Sequence, residues 1–200
     1  MIELDRDHRY WEVKDGRRRE IAGVSYILDV MGKKGKYYAK DSTFYKTRGS
    51  YAHTAIALDV AGDLEESSVD EEIRGYLEAW RKFRREWHVV VMESERPVYC
   101  EELDYCGRLD LVLVVDGIVL PVLTDAKSGS PAPWHELQVA AYAYAHAGRQ
   151  YRSFLGAPLY LRQKGTYSFK PMEPLKMDRQ VEEWRDLVRE FHEKETKVWT

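Results

Sequence analysis

The sequence predicts a mixed α/β domain, with α and β segments combined in one α+β-type fold around a small central sheet that is flanked by helices. Its 200 residues suit one compact domain. Hydrophobic residues make up 44% and aromatic residues 12% of the chain, which is enough to form a core and excludes wholesale disorder. Helical hydrophobic spacing lies on both sides of a β-rich middle, in the order helices, three strands, helix, strands, helix.

The N-terminal segment is expected to form a hairpin followed by a short helix. Residues 8–22 contain two β-rich runs around Asp15 and Gly16, a common hairpin turn. Ser25 is the expected cap of the short helix, which should end at Gly32.

Two longer helices should follow. Residues 36–61 have helical spacing and are expected to form two pieces broken at Gly49. The next helix is expected to run from Ser68 to about Trp87, because acids in its first turn and bases near its end suit the helix dipole.

The second half alternates strands and helices. Strands are predicted at 89–98, 105–115, 118–127, 158–161 and 166–170. Helices are predicted from Pro133 to Gly148 and from about Asp178 to Lys194. The chain therefore reads as one domain with an N-terminal part, a central core and a C-terminal part, at 1–35, 36–148 and 149–200.

The charge balance and the cysteine count limit the classes of function. A formal charge of −3 gives no global reason to bind nucleic acid or a membrane surface. No apolar run is long enough to span a membrane, and the charged N-terminus does not resemble a signal peptide. Two cysteines cannot form a disulfide framework, so a cytoplasmic location is expected.

The cations are concentrated in one segment. Residues 32–53 carry six lysines and arginines against one acid, with aromatic residues between them, whereas residues 59–78 are strongly acidic. Cations and aromatic rings together favour contact with nucleic acid. The alternative is that both runs are solvated helix faces.

Three charged residues point to a site on the central strands. Asp110 lies in a strand that is apolar on both faces, where a charge is costly unless it is paired or bound to a metal. Asp125 and Lys127 are two residues apart near the end of the next strand, so they share a face.

A tight turn between these strands would set their pairing. If the two residues before Ile118 form the turn, Val115 pairs with Ile118 and Asp110 falls opposite Leu123. Asp125 is then the diagonal neighbour of Asp110 on the same face.

Such a pair of carboxylates suits a hard divalent cation. Close carboxylates repel each other, and Mg²⁺ or Mn²⁺ would neutralise them. Lys127 could then orient a water molecule or stabilise a developing negative charge. The alternative is a structural Lys–Asp ion pair at the strand end.

Five short motifs in the expected order resemble the PD-(D/E)XK nuclease superfamily, in particular its RecB-type and phage exonuclease branch. The matches are G-x-x-x-H at 49–53, an acid at Glu95, G-x-x-D at 107–110, D-x-K at 125–127 and Q-x-x-x-Y at 138–142. This resemblance implies a restriction-endonuclease-like core.

The resemblance also implies a role for each matched residue. Metal ligands would be His53, Asp110, Asp125 and the carbonyl of Ala126. The catalytic set would be Glu95, Asp110, Asp125, Lys127 and Gln138, with Glu93 as the alternative to Glu95. Nucleic-acid contacts are expected from Lys33, Lys34, Lys36, Arg48 and Tyr142.

The implied activity is metal-dependent hydrolysis of DNA phosphodiester bonds, with Mg²⁺ or Mn²⁺ as cofactor and an exonuclease favoured. DNA recombination, repair or phage DNA processing is the expected setting. The two cysteines cannot hold the four-cysteine iron–sulfur cluster of some relatives. No nucleotide-triphosphate motif is present, so helicase activity would come from a recombination or helicase partner, and a homo-oligomer is compatible with the resemblance.

Two other functions remain open from the sequence. One is a nucleic-acid-binding or assembly module that keeps the fold without turnover. The other is a structure-specific or RNA-directed endonuclease.

Overall fold

The protein has a mixed α/β fold, as the sequence predicts, and its described residues form two sheets and five α-helices. The structure is a computed structural model that describes residues 2–5, 9–35 and 42–198. A three-stranded antiparallel sheet has the order β1-β2-β3, and a five-stranded mixed sheet has the order β4-β5-β6-β7-β8. Across the described residues, no helix is both long and apolar enough to cross a membrane.

The small sheet is formed by the N-terminal segment. It contains β1 (Ile2–Leu4), β2 (Tyr10–Lys14) and β3 (Arg17–Ile21), and the pairing of β2 with β3 across a two-residue turn confirms the predicted hairpin. Strand β1 was not predicted, and it pairs with β2.

The short helix α1 (Val24–Val30) begins before the predicted cap residue, Ser25. Its N-cap is Gly23, and Ser25 lies inside the first turn, so the prediction that Ser25 caps the helix is wrong. The start is set by long-range pairing instead: Gly23 forms a parallel bridge with Cys106, and the Cys106 amide donates to the carbonyl of Ala22 at 3.0 Å.

Helix α2 (Ser42–Ala61) is continuous, so the predicted break at Gly49 is also wrong. A Cβ atom at Gly49 would lie 3.3 Å from Ser128 Oγ. The glycine therefore permits a close approach between α2 and the loop after β6, and does not interrupt the helix.

Helix α3 (Glu71–Glu86) starts after the predicted Ser68, which ends a 3₁₀ turn. Asp70 caps α3, because its side chain accepts a 2.8 Å hydrogen bond from the amide of Glu72.

The five-stranded sheet carries the predicted central strands. Its strands are β4 (Val90–Cys100), β5 (Tyr105–Val114), β6 (Val122–Lys127), β7 (Leu155–Leu161) and β8 (Tyr167–Phe169). Only β6 and β7 are parallel, and the chain crosses between them through α4 (Pro133–Ala147). Helix α5 (Pro174–Val198) follows β8.

The pairing of β5 with β6 differs from the predicted register by two residues. Val112, and not Asp110, lies opposite Leu123. The reason is that β6 begins only after Pro121, so the connection is longer than a two-residue turn. A shift of two residues preserves the face on which each side chain lies. The pairing ends at Leu111 and Thr124, and one further pair in the same register would place Asp125 opposite Asp110.

The five-stranded sheet separates two hydrophobic clusters. One packs β4, β5 and β6 against α4 and α5 around Trp184, and the other packs the sheet against α2 and α3 around Trp80. Leu109 belongs to the first cluster and Leu111 to the second, although residues two apart in a regular strand share a face. The two neighbours of Asp110 in β5 therefore pack into different clusters.

Candidate metal centre

Three donor side chains from three elements meet beside Asp110 of β5. His53 of α2, Glu95 of β4 and Asp110 of β5 each offer one ligand atom, and these atoms lie within 4.8 Å of one another. His53 Nδ1 is 3.3 Å from Asp110 Oδ2. Donors around an octahedral ion at about 2.1 Å are separated by about 3.0 Å when adjacent and about 4.2 Å when opposite. The donor set therefore fits a divalent cation after small adjustments.

Asp110 also completes the sheet at this point. The β5–β6 pairing ends at Leu111 and Thr124, and the amide of Ala126 donates to Asp110 Oδ2 at 2.8 Å. Burial raises the pKa of Asp110, but the positive charge of His53 and its hydrogen bond outweigh burial and hold that pKa below its usual value. Asp110 is thus ionised and anchored to the backbone of the neighbouring strand.

Glu95 is brought to the cluster by an unusual backbone conformation. Its φ is 53°, in the left-handed region that few residues other than glycine adopt. The register between β4 and β5 shifts between Val91 and Glu93, and the pairs on either side of Glu95 place it opposite Asp110. Burial, followed by the charge of Asp110, raises the pKa of Glu95, and Arg108 Nε pairs with it at 2.8 Å.

Glu93, the alternative to Glu95, points elsewhere. Its Oε1 accepts from Arg96 at 2.7 Å, and its Oε2 lies 3.9 Å from His146 Nδ1. Glu95 is the β4 acid whose oxygen belongs to the donor cluster.

A buried ion pair stands beside the donor cluster. Asp125 Oδ2 lies 2.5 Å from Lys127 Nζ, and the two side chains are 3% and 14% exposed. Burial raises the pKa of Asp125 to about 6, with Asp110 adding to the rise and Lys127 opposing it. Asp125 is thus held by Lys127 and is not one of the mutually close donors, while Ala126 reaches the cluster through its amide.

Gln138 of α4 fixes the position of Lys127. Its Oε1 accepts from Lys127 Nζ at 2.7 Å, and its Nε2 donates to the Tyr142 hydroxyl at 2.8 Å and to Ser25 Oγ at 3.3 Å. Because the ammonium group of Lys127 can only donate, it requires the amide oxygen to face it, and this determines the orientation of the Gln138 amide.

Ser25 is a residue of this network that the sequence reasoning missed. Ser25 and Gln138 are 113 positions apart, and no local pattern signals a contact of that kind. Tyr142, expected to contact nucleic acid, is 6% exposed and contacts Gln138.

Trp134 links Lys127 to the basic segment. Lys127 Nζ lies 5.1 Å and Lys34 Nζ 5.6 Å from the centre of its ring, within the range of cation–π contacts. Lys33 pairs with Glu183 at 2.7 Å.

Arg48 is the remaining expected nucleic-acid contact that the structure describes. The Arg48 guanidinium lies 5.7 Å from the Phe44 ring centre. Lys36 lies outside the described residues.

The solved structures that resemble this chain include two distant neighbours. No protein-family model and no curated protein matches the sequence. The crystal structure of SSO0001 aligns with 82% of this chain and 85% of its own, at 14% identity and a TM-score of 0.30. LHK-Exo, solved in complex with dAMP, aligns with 89% of this chain and 94% of its own, at 12% identity and a TM-score of 0.31. Alignments at these TM-scores carry no conclusion about this chain.

Proposed function

We propose that the protein is a metal-dependent phosphodiesterase that hydrolyses DNA. The observation that carries the proposal is one imidazole and two carboxylates, from His53, Glu95 and Asp110, with donor atoms within 4.8 Å. Beside them lies a partly buried lysine, whose contacts with Asp125 and Gln138 fix its position. A hard divalent cation held by oxygen and nitrogen donors next to an ammonium group is suited to phosphoryl chemistry.

The donor cluster would hold the metal ion of such a reaction. A bound Mg²⁺ or Mn²⁺ would lower the pKa of a water molecule and offset charge on the phosphate. His53, Glu95 and Asp110 would hold the ion, with Asp125 and the carbonyl of Ala126 as the further ligands expected from the motif resemblance.

Lys127 would meet the negative charge that develops on the phosphate. An ammonium group has three donors, and Asp125 and Gln138 occupy two of its contacts. The third donor can approach a phosphate oxygen or the attacking water. Gln138 is then a positioning residue, because it acts through Lys127.

The finer assignments rest on the motifs. On the motifs, the enzyme would be an exonuclease that uses Mg²⁺ or Mn²⁺. It would act in the cytoplasm during DNA recombination, repair or phage DNA processing. Lys33, Lys34, Lys36 and Arg48 would contact the DNA backbone, and a recombination or helicase protein is the expected type of partner. The fold would act as a single domain.

The test is an incubation of pure protein with linear, circular and single-stranded DNA in Mg²⁺, in Mn²⁺ or in EDTA. Cleavage is expected only with metal, and end-blocked linear DNA should resist if the enzyme is an exonuclease. Asp110→Asn and Lys127→Met should abolish cleavage, whereas Lys82→Met, a change on an exposed helix face, should not.

The other outcomes of these assays would contradict the mechanism or support one of the two alternative functions. Cleavage that persists in EDTA or in both site variants contradicts the mechanism. Metal-independent DNA binding without cleavage supports the binding-module alternative. Preferential cleavage of RNA of matched sequence supports the RNA-directed alternative.

A further inference from the structure

A cleft of about 840 Å³ lies between the N-terminal hairpin, α1, α2 and β5. Its volume falls within the range of ligand-binding cavities. Residues with polar or aromatic groups in its walls include Tyr10, Ser25, Tyr26, Ser50 and Tyr142.

The lining suits a flat, uncharged group better than a phosphate. Its charged residues are Arg9 against Glu20 and Glu195, and Arg9 Nε is already 3.3 Å from an oxygen of Asp5. Phosphates bound side by side would need a surplus of cations. Tyrosine rings and serine hydroxyls instead offer a stacking surface and hydrogen-bonding groups, which are the features that recognise a nucleobase.

Tyr26 offers the most accessible of these rings. It is 54% exposed, and Phe191 meets it edge to face with ring centres 6.0 Å apart. An edge contact of this kind fixes the ring and does not require that both of its faces be covered.

The cleft is connected to the catalytic lysine by hydrogen bonds. Ser25 and Tyr142 belong to its wall, and both accept from Gln138 Nε2, whose amide oxygen receives Lys127. A group that takes over the hydroxyl of Ser25 would loosen or reorient Gln138, and Lys127 would move with it.

The cleft also lies close to the donor cluster. Its wall includes Ser50 of α2, three residues before His53, and Gly107 of β5, three residues before Asp110. The cleft and two of the three metal donors are therefore carried by the same helix and the same strand.

We infer that this cleft binds one unpaired nucleobase next to the reacting phosphate, and that Ser25 transmits its occupancy to Lys127 through Gln138. The inference rests on the proposed function for its substrate. It makes the enzyme sensitive to the presence of a base at one position of the strand.

Binding is measured first, in EDTA, where no cleavage is expected. The probe is a fluorescein-labelled single-stranded oligodeoxythymidylate, compared by anisotropy with versions that carry one abasic residue at successive positions. Because stacking of one base contributes about 1 kcal/mol or more, the intact strand should bind at least about fivefold more tightly than the abasic strand. The preference should appear at one position only, and Tyr26→Ala should remove it, whereas Leu175→Ala, a change of an apolar side chain with 76% exposure outside the cleft, should leave it intact.

Turnover in Mn²⁺ then tests the link through Ser25. Ser25→Ala should remove the difference in kcat between the intact strand and the strand abasic at that position, with little change in KM. Ser25→Thr, which keeps the hydroxyl, should restore that difference. An equal effect of Ser25→Ala on both strands would mean a structural role only and overturns the link.

The two proposals can fail separately. Equal binding of intact and abasic strands overturns the nucleobase site even if DNA is cleaved. A base preference that Tyr26→Ala removes, without cleavage in either metal, supports the cleft and overturns the proposed function.

Discussion

Removal of the Lys127 ammonium should destabilise the metal-free protein in a strongly pH-dependent way. Lys127→Met keeps much of the side-chain volume but leaves the carboxyl of Asp125, which is 3% exposed, without its cation. A buried carboxylate that loses its partner escapes by taking up a proton, so its pKa should rise above 7.

The size of the effect follows from the pKa of Asp125. In the folded protein burial raises that pKa to about 6, whereas an unfolded aspartate titrates near 3.9. The folded state then binds more protons than the unfolded state, so stability falls as pH rises from about 3.9 through the folded pKa. At about 1.36 kcal/mol per pH unit, this cost stops growing near pH 6 in the parent protein. In Lys127→Met the cost keeps growing above pH 6 until the higher pKa of Asp125 is reached, so the extra loss should be about 1 kcal/mol at pH 7 and larger at pH 8.

Urea unfolding at pH 5.5, 7 and 8 in EDTA measures these differences. The electrostatic loss should be close to zero at the lowest pH, so any constant remainder reports lost packing of the alkyl chain. The double variant Asp125→Asn/Lys127→Met should show no such pH dependence, and Lys82→Met should cost less than about 0.5 kcal/mol because exposed ion pairs contribute little. A loss for Lys127→Met that is the same at all three pH values would refute the reasoning.

Three further predictions concern the metal donors and the packing. Asp110→Asn should lower the Mn²⁺ affinity measured by calorimetry at least about tenfold, because the change removes a charged ligand. It keeps an oxygen that can accept the hydrogen bond from the Ala126 amide. Unchanged affinity would mean that the ion binds elsewhere. Burial lowers the pKa of His53, but the charge of Asp110 outweighs burial and raises that pKa to about 9. Mn²⁺ must then displace a proton from His53, so the affinity for Mn²⁺ should increase with pH up to about 9. A flat pH profile in equilibrium dialysis would exclude His53 as a ligand. Gly75→Ala should lower the free energy of unfolding in urea by about 2 kcal/mol or more, because the new Cβ would lie 1.7 Å from the carbonyl oxygen of Gln163. Gly129→Ala is the control and should be near neutral, because there is open space around Gly129. Equal effects of the two changes would count against this packing.

The elements that local patterns determine were predicted well from the sequence. The hairpin follows from Asp15-Gly16, and β5 follows from a run of β-branched and aliphatic residues. The placement of Asp125 and Lys127 near one another also needs only strand periodicity, and the structure brings them into contact.

The details of the site depend on features that have no local signal. Glu95 reaches the cluster because the register of β4 shifts before it and its own φ is positive, and neither feature can be read from residue types. The β5–β6 register depends on where the strand resumes after Pro121. Ser25 was assigned to a helix cap because serine favours caps, but its contact is with a helix more than a hundred residues away.

The distribution of the donors along the chain affects how the protein acquires its site. The hairpin β2–β3 and the antiparallel strands β4–β5 join residues that are close in sequence, so they can form early. The donors at 53, 95 and 110 and the hydroxyl at 25 come together only after α1 and α2 have docked on the sheet. A divalent ion would therefore bind the completed fold and hardly any partly folded species, so it would slow unfolding and leave the early steps of folding unchanged.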